Sequence, residues 1–78
     1  MTIVSSKLTN LQCRMARAGT GLGVRDLARL AGVSPNTITR FERGEKLQQR
    51  TIKAIRESLE KVDAEFIGSD GVRIKHKK

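Results

Sequence analysis

The stretch "VRDLARLAGVSPNTITRFERG", Val24 to Gly44, holds two short apolar-periodic runs separated by a small-residue break. The first run, Val24 to Ala31, is interrupted by Gly32. Ser34-Pro35 then opens the second, with Ser as N-cap and Pro at the first helical position, and Gly44 stops it after about Arg43. Ala28 is small where two helices would cross closely. Gly32, four residues on, supplies the backbone freedom of a tight turn, and Val33 plugs that turn. Ile38 and Phe41, at i and i+3, face Leu27 and Ala31 on the preceding run. Asn36, Thr37, Thr39, Arg40 and Arg43 are left on the outward face. A merely structural helical pair does not need this small–Gly–apolar order.

Working outward, "AGTGLGV" (Ala18–Val24) places glycines at every second position. A dinucleotide fingerprint needs Gly-x-Gly-x-x-Gly between a strand and a helix. Here the spacing is Gly-x-Gly-x-Gly, the preceding residues are helix formers, and no Gly-Lys-Ser/Thr follows, so nucleotide-enzyme readings fail. The glycines instead connect a first helix, Asn10 to Ala18 with Thr9 as N-cap, to the second. "EKLQQR" reads as a loop, and a fourth helix spans about Thr51 to Lys61 with Ile52, Ile55 and Leu59 on one face. "AEFIGSDGVRIK" reads as two short strands around a turn at Ser69-Asp70-Gly71. On the first helix, Leu8, Leu11, Met15 and Ala18 form one apolar stripe, and Cys13 and Ala16 fall on another. A single helix rarely buries two faces without an extra partner, and Phe66, Ile67, Val72 and Ile74 of the hairpin supply it.

Seventy-eight residues with two Phe and no Trp or Tyr allow one small aliphatic core. Such chains often gain stability by oligomerising. The single Cys13 cannot form an internal disulfide and reads as a buried structural thiol in a reducing cytoplasm. His76, the one His, offers neither a metal set nor an acid–base partner. "MTIVSSK" is too short an apolar run for a signal peptide, and nothing approaches membrane-spanning length. Sixteen Lys and Arg against eight Asp and Glu give a net charge of +8. Residues 1–56 hold eleven basic and three acidic side chains, residues 57–70 one basic and five acidic, and "RIKHKK" adds four basic ones. So dense a positive region is the expected footprint of a polyanion binder; on charge alone, a solvated basic surface is the alternative.

Two short helices joined by a short Gly-containing turn are the helix-turn-helix unit, here 24–43. "LGVRDLARLAGVSPNTITRFERG" resembles that unit in the lambda-repressor/Cro-like (Xre) family of phage and bacterial regulators, whose pattern is L-S-Q-x-x-L-A-x-x-x-G-V-S-x-x-T-I-x-x-x-E-R-G. Leu22, Leu27, Ala28, Gly32, Val33, Ser34, Thr37, Ile38, Glu42, Arg43 and Gly44 match it. The resemblance covers roughly residues 8 to 62. It implies a mainly α fold, a compact four- to five-helix DNA-binding bundle over 1–62; the short hairpin and basic tail (63–78), read from the residues themselves, are taken as part of the same domain. It also implies that Arg17, late in the first helix, pairs with Glu42; the alternative is two separate surface charges. The family's Ser-Gln is Gly23-Val24 here, so a Gln that commonly holds a phosphate is missing. Gly19 and Thr20 stand where apolar residues are common, which loosens the packing of the first two helices.

The resemblance further implies that the second helix starts against the DNA backbone, so Gly23 at its N-cap sits at an anion site. The alternative is a linker without phosphate contact. Asn36 and Arg40 are the candidate base readers, one turn apart; Arg pairs bidentately with guanine and Asn with adenine. A phosphate contact is the alternative for Arg40. Thr37 and Thr39 offer a methyl to thymine or a hydroxyl to phosphate. Ser34, Arg43, Lys46 and Arg50 are candidate phosphate clamps, and Arg25 takes over part of the missing Gln's role. Lys53 and Arg56 read as solvated.

The function expected is a sequence-specific double-stranded DNA-binding regulator, repressor or activator, acting in the cytoplasm of a bacterium or phage host as a homodimer on an inverted-repeat operator. No cofactor, metal, membrane or small-molecule ligand is expected, and no catalytic constellation supports an enzyme. The alternative is an antitoxin or accessory module that binds DNA with a partner protein. Phe66, Ile67, Val72 and Ile74 are the candidate dimerisation residues through strand edges. In the competing arrangement the hairpin folds back on its own first helix, and the fourth helix makes the dimer.

Overall fold

The computed structural model describes residues 8–75; "MTIVSSK" and His76 lie outside them. Four helices, α1 (Asn10–Thr20), α2 (Val24–Ala31), α3 (Pro35–Glu42) and α4 (Gln49–Lys61), precede an antiparallel hairpin of β1 (Ala64–Ile67) and β2 (Gly71–Ile74). The fold is mainly helical with a C-terminal hairpin, as the sequence leads one to expect.

The starts of α1 and α3 carry side-chain caps in the sequence. Thr9 and Gln12 form a capping box: Thr9 Oγ1 accepts from the Gln12 N–H at 3.1 Å, and Gln12 Oε1 accepts from the Thr9 N–H at 3.2 Å. Ser34 Oγ accepts from the Thr37 N–H at 3.2 Å, ahead of Pro35. Helix ends repeat one device. Gly32, at φ 74°, lets its own N–H reach Arg29 O at 3.3 Å while Val33 N–H reaches Ala28 O at 3.0 Å. This Schellman pattern fits a left-handed residue that a side chain would disfavour. Gly21 and Leu22 close α1 on Ala18 O and Arg17 O in the same way.

Several local expectations need correction. Helix α1 does not end at Ala18 but runs through Gly19 to Thr20, whose hydroxyl donates back to Ala16 O at 2.7 Å. Gly19 is therefore a helical residue and not part of the connection. A Cβ there would lie 2.9 Å from Ile74 Cγ1, so the bare backbone is where β2 seats on α1. Helix α4 starts two residues early, at Gln49, behind Leu47, which packs on the core. The turn is Gly68-Ser69-Asp70, because Gly71 pairs with Ile67 as the first residue of β2. Arg56 is not simply solvated: it donates to Glu60 Oε2 at 2.9 Å and stacks 5.3 Å from the Phe66 ring centroid.

The core is aliphatic, with Leu27, Ile38, Ile55 and Leu59 fully buried beside Cys13, Ala16 and Ala28. Of the first stripe expected on α1, only Leu8 is buried; Leu11 and Met15 remain 46% and 38% exposed. The reason is that α1 turns Gln12, Cys13 and Ala16 inward instead. Gln12 is completely buried, and its Nε2 donates to Gly68 O and Gly71 O, both at 3.0 Å. Thr9 Oγ1 adds a bond to Ser69 O at 2.9 Å. The capping box of α1 is thus also the anchor of the hairpin turn. Two-residue alternation then sorts the strands: Ala64, Phe66, Val72 and Ile74 lie on the core, while Glu65, Arg73 and Ile67 face outward.

Replacing Gln12 with Ala leaves two turn carbonyls without their buried donor. The variant should lose about 1–3 kcal/mol in urea unfolding, and amides of residues 64–74 should exchange faster than those of α2 and α3.

Candidate nucleic-acid interface

Helices α2 and α3 pack through Leu27, Ala28, Ile38 and Phe41, all buried, with Val33 against the same core from the turn. Burial of Ile38 and Phe41 fixes the rotation of α3, and helical spacing then puts Asn36, Thr39 and Arg40 in solvent. Thr37 is half-buried, and its hydroxyl lies 3.0 Å from that of Ser34. Thr39 Oγ1 donates to Pro35 O at 3.2 Å, which commits its proton to the helix.

Arg43, Lys46 and Arg50 extend the exposed cationic surface beyond α3 into the start of α4. Arg25 is exposed in the first turn of α2. Gly23 is the N-cap of α2, but Asp26 Oδ2 already accepts its N–H at 3.1 Å. A carboxylate therefore holds that donor, which narrows the anion site expected there to the groups beyond Gly23.

Behind this surface, Arg17 donates through Nε and Nη2 to the two carboxylate oxygens of Glu42, both at 2.8 Å. Arg17 Nη1 also reaches Leu22 O at 3.4 Å. The pair binds α1, the α1–α2 connection and α3 into one unit. Cys13 Sγ–H donates to Glu42 Oε2 at 3.3 Å from beneath. Burial drives the Cys13 thiol far above its ordinary range, the Glu42 charge and hydrogen bond add to this, and the Arg17 charge opposes it. It is an inert structural thiol. For Glu42, burial works to raise the carboxyl, but hydrogen bonds from Arg17 and Cys13 and the charges of Arg17 and Arg14 outweigh it and hold it below the usual range. The Glu42 hydrogen bond in turn raises Arg17 against its own desolvation.

Two residues escaped the sequence reading. Arg14, exposed on α1, lines an open groove with Asn10, Val24, Thr39, Glu42 and Arg43. Its position three residues before Arg17 was the available signal. Glu45 is the other: its Oε1 accepts from Arg40 Nε at 2.9 Å, and its Oε2 lies 3.6 Å from Arg43 Nη2. Among the described residues no group of three or more His, Cys, Asp or Glu could hold a metal ion. None of the helices there is long and apolar enough to cross a membrane.

The profile of the family described as "Helix-turn-helix domain" matches residues 12–59, more than half of the chain. The chain belongs to the helix-turn-helix domain family. The match begins at Gln12 and ends at Leu59, so it takes in α2–turn–α3 together with most of the two flanking helices. The family supports DNA as the partner of this helix-turn-helix domain. No curated protein matches the chain.

Because folding lowers the Glu42 carboxyl below its unfolded value, the pair stabilises the domain above the ordinary carboxylate range. That contribution is lost as the pH falls through the depressed range. Glu42→Gln should cost about 3 kcal/mol at neutral pH, near the lower end for a broken buried pair because Arg17 keeps some solvent contact. In denaturation curves collected at decreasing pH, the gap between wild type and variant should close.

Proposed function

We propose that this helix-turn-helix domain is a sequence-specific double-stranded DNA-binding transcriptional regulator of the Xre type, acting as a homodimer on an inverted-repeat operator. The observation that carries the reading is the exposed polar face of α3, bearing Asn36, Thr39 and Arg40 on a helix whose opposite face is locked into the core. In this reading α3 enters the major groove, where Arg40 pairs with guanine and Asn36 with adenine. Thr39, its proton committed to Pro35 O, offers its methyl to thymine. Thr37 assists beside the Ser34 cap. Arg43, Lys46 and Arg50 neutralise backbone phosphates and set register. Arg25 and the N–H groups of α2 beyond Gly23 meet a further phosphate, with Ser34 at the start of α3. The setting proposed for it is the cytoplasm of a bacterium, the host's in the case of a phage protein.

Selection of bound sites from a random duplex pool tests the reading directly. One half-site, repeated with two-fold symmetry, should emerge. With about six to eight phosphates contacted per dimer, log K against log salt should have a slope of about −5 to −7. Arg40→Ala should relax preference at one operator position at a cost of about 1–3 kcal/mol, whereas Arg50→Ala should weaken every duplex alike. Equal affinity for all duplexes would end the regulator reading.

Two recognition helices about 34–36 Å apart reach successive major grooves, so something outside α2–α3 must hold the spacing. We assign this to the hairpin in a narrower form than the sequence suggests. Phe66, Val72 and Ile74 are used on their own core, which leaves the strand edges and the outward Ile67, 54% exposed, for a second copy. Sedimentation should give twice the 8.7 kDa chain mass. Ile67→Glu should shift it to monomer and weaken operator binding while leaving the helical circular dichroism intact. A variant that stays dimeric would move the interface to α4.

A further inference from the structure

We propose that Glu45 is a specificity-determining positioning residue. Its carboxylate buttresses Arg40 for base contact and offsets the charge that Arg40 would otherwise lend to any phosphate. This rests on the reading of Arg40 as a base reader.

Three acidic side chains occur in residues 1–56. Asp26 caps α2 and Glu42 pairs with Arg17. The third, Glu45, is exposed and reaches the two arginines at the end of α3. Its ion pairs are solvent-exposed and contribute little to stability, and an acid just past a helix C-terminus opposes the helix dipole.

The backbone fixes its place. Gly44 N–H donates to Phe41 O and Glu45 N–H to Arg40 O, both at 3.0 Å, repeating the helix ends at Gly21 and Gly32. In those two cases the residue after the glycine is Leu22 or Val33, and both pack on the core. At the third the apolar residue is replaced by Glu45, tied to Arg40 by its main chain and again through Arg40 Nε. A guanidinium held at Nε presents its Nη edge, and those donors suit guanine O6 and N7. Arg40 therefore does not have to surrender Glu45 to read a base. A phosphate competing for Arg40 must meet the carboxylate as well. Non-specific affinity depends on cations neutralising phosphates, so the carboxylate weakens it more than it weakens the cognate contact. The neighbouring arginines also hold the Glu45 carboxyl below its ordinary range, so it stays ionised across neutral pH.

The test compares wild type, Glu45→Gln and Arg40→Ala, and the double variant, on the selected operator, on the same duplex changed at the base pair that Arg40→Ala relaxes, and on a random duplex, each across a salt series. Glu45→Gln should bind the random duplex more tightly, with a salt slope steeper by about 1. Its preference at the Arg40 base pair should fall about tenfold, and this loss should vanish in the Arg40→Ala background. Unfolding curves should match wild type, since Glu45 is in solvent. A uniform gain on all three duplexes, or additive effects in the double variant, would reduce Glu45 to bulk charge and overturn the proposal. If Arg40→Ala relaxes no position, the base-reader assignment itself fails and takes this inference with it. A selective Arg40→Ala beside an unselective Glu45→Gln defeats the role of Glu45 alone.

Discussion

The fork of Arg17 on Glu42 is the constraint from which the geometry of the exposed surface follows. One carboxylate on α3 receives two guanidinium bonds and a thiol from α1, and the same guanidinium reaches the carbonyl of Leu22 in the connection. Three backbone segments therefore share one polar joint. Hydrophobic contact through Ile38 and Phe41 sets which face of α3 is inside, but apolar contact is not directional. A bidentate ion pair is. It gives α3 an axial register relative to α1 that an aliphatic core of this size would leave soft.

The helix-turn-helix was legible because each of its steric demands is met by a residue type with few substitutes. Gly32 at the left-handed turn, Ser34-Pro35 at the helix start and the Ile38–Phe41 spacing all report local backbone or helical period. The hairpin was legible as well, though its turn lay one residue early, because Gly68 and Gly71 are both turn formers and only pairing with Ile67 separates them. The inner face of α1 was only partly legible: Cys13 and Ala16 were read on a stripe of their own and are buried, but Gln12 beside them was not. An apolar stripe of Leu11 and Met15 outscores Gln12 on any hydropathy criterion, yet Gln12 is the side chain that the fold buries. What decides it is the need of two turn carbonyls for a donor, and that need belongs to residues 56 and 59 positions away.

The candidate interface shows the same division. Exposure of Asn36, Thr39 and Arg40 follows from the burial of their helical neighbours, so sequence period was enough. The partners of these side chains were not readable from period. Asp26 reaching back to Gly23, Thr39 bonding to Pro35 and Glu45 holding Arg40 are choices of rotamer, made by local geometry after the helices are in place. Charge composition pointed to a polyanion partner while hiding that some of the cations are already partly answered within the chain.

The strap from Thr9 and Gln12 to the hairpin turn also bears on the order in which the molecule assembles. Helices α2 and α3 are neighbours in sequence and close their contacts over short loops, whereas the capping box of α1 meets its carbonyl partners only across 56 to 60 positions. Closing so long a loop is slow compared with forming a local helical pair. During synthesis, α1 can wind and α2 can pack on α3 before Gly71 has left the ribosome, but the buried amide of Gln12 must wait. Until then water satisfies the amide, and that face of α1 stays open. The seating of the first helix is thus completed only by residues 68–71.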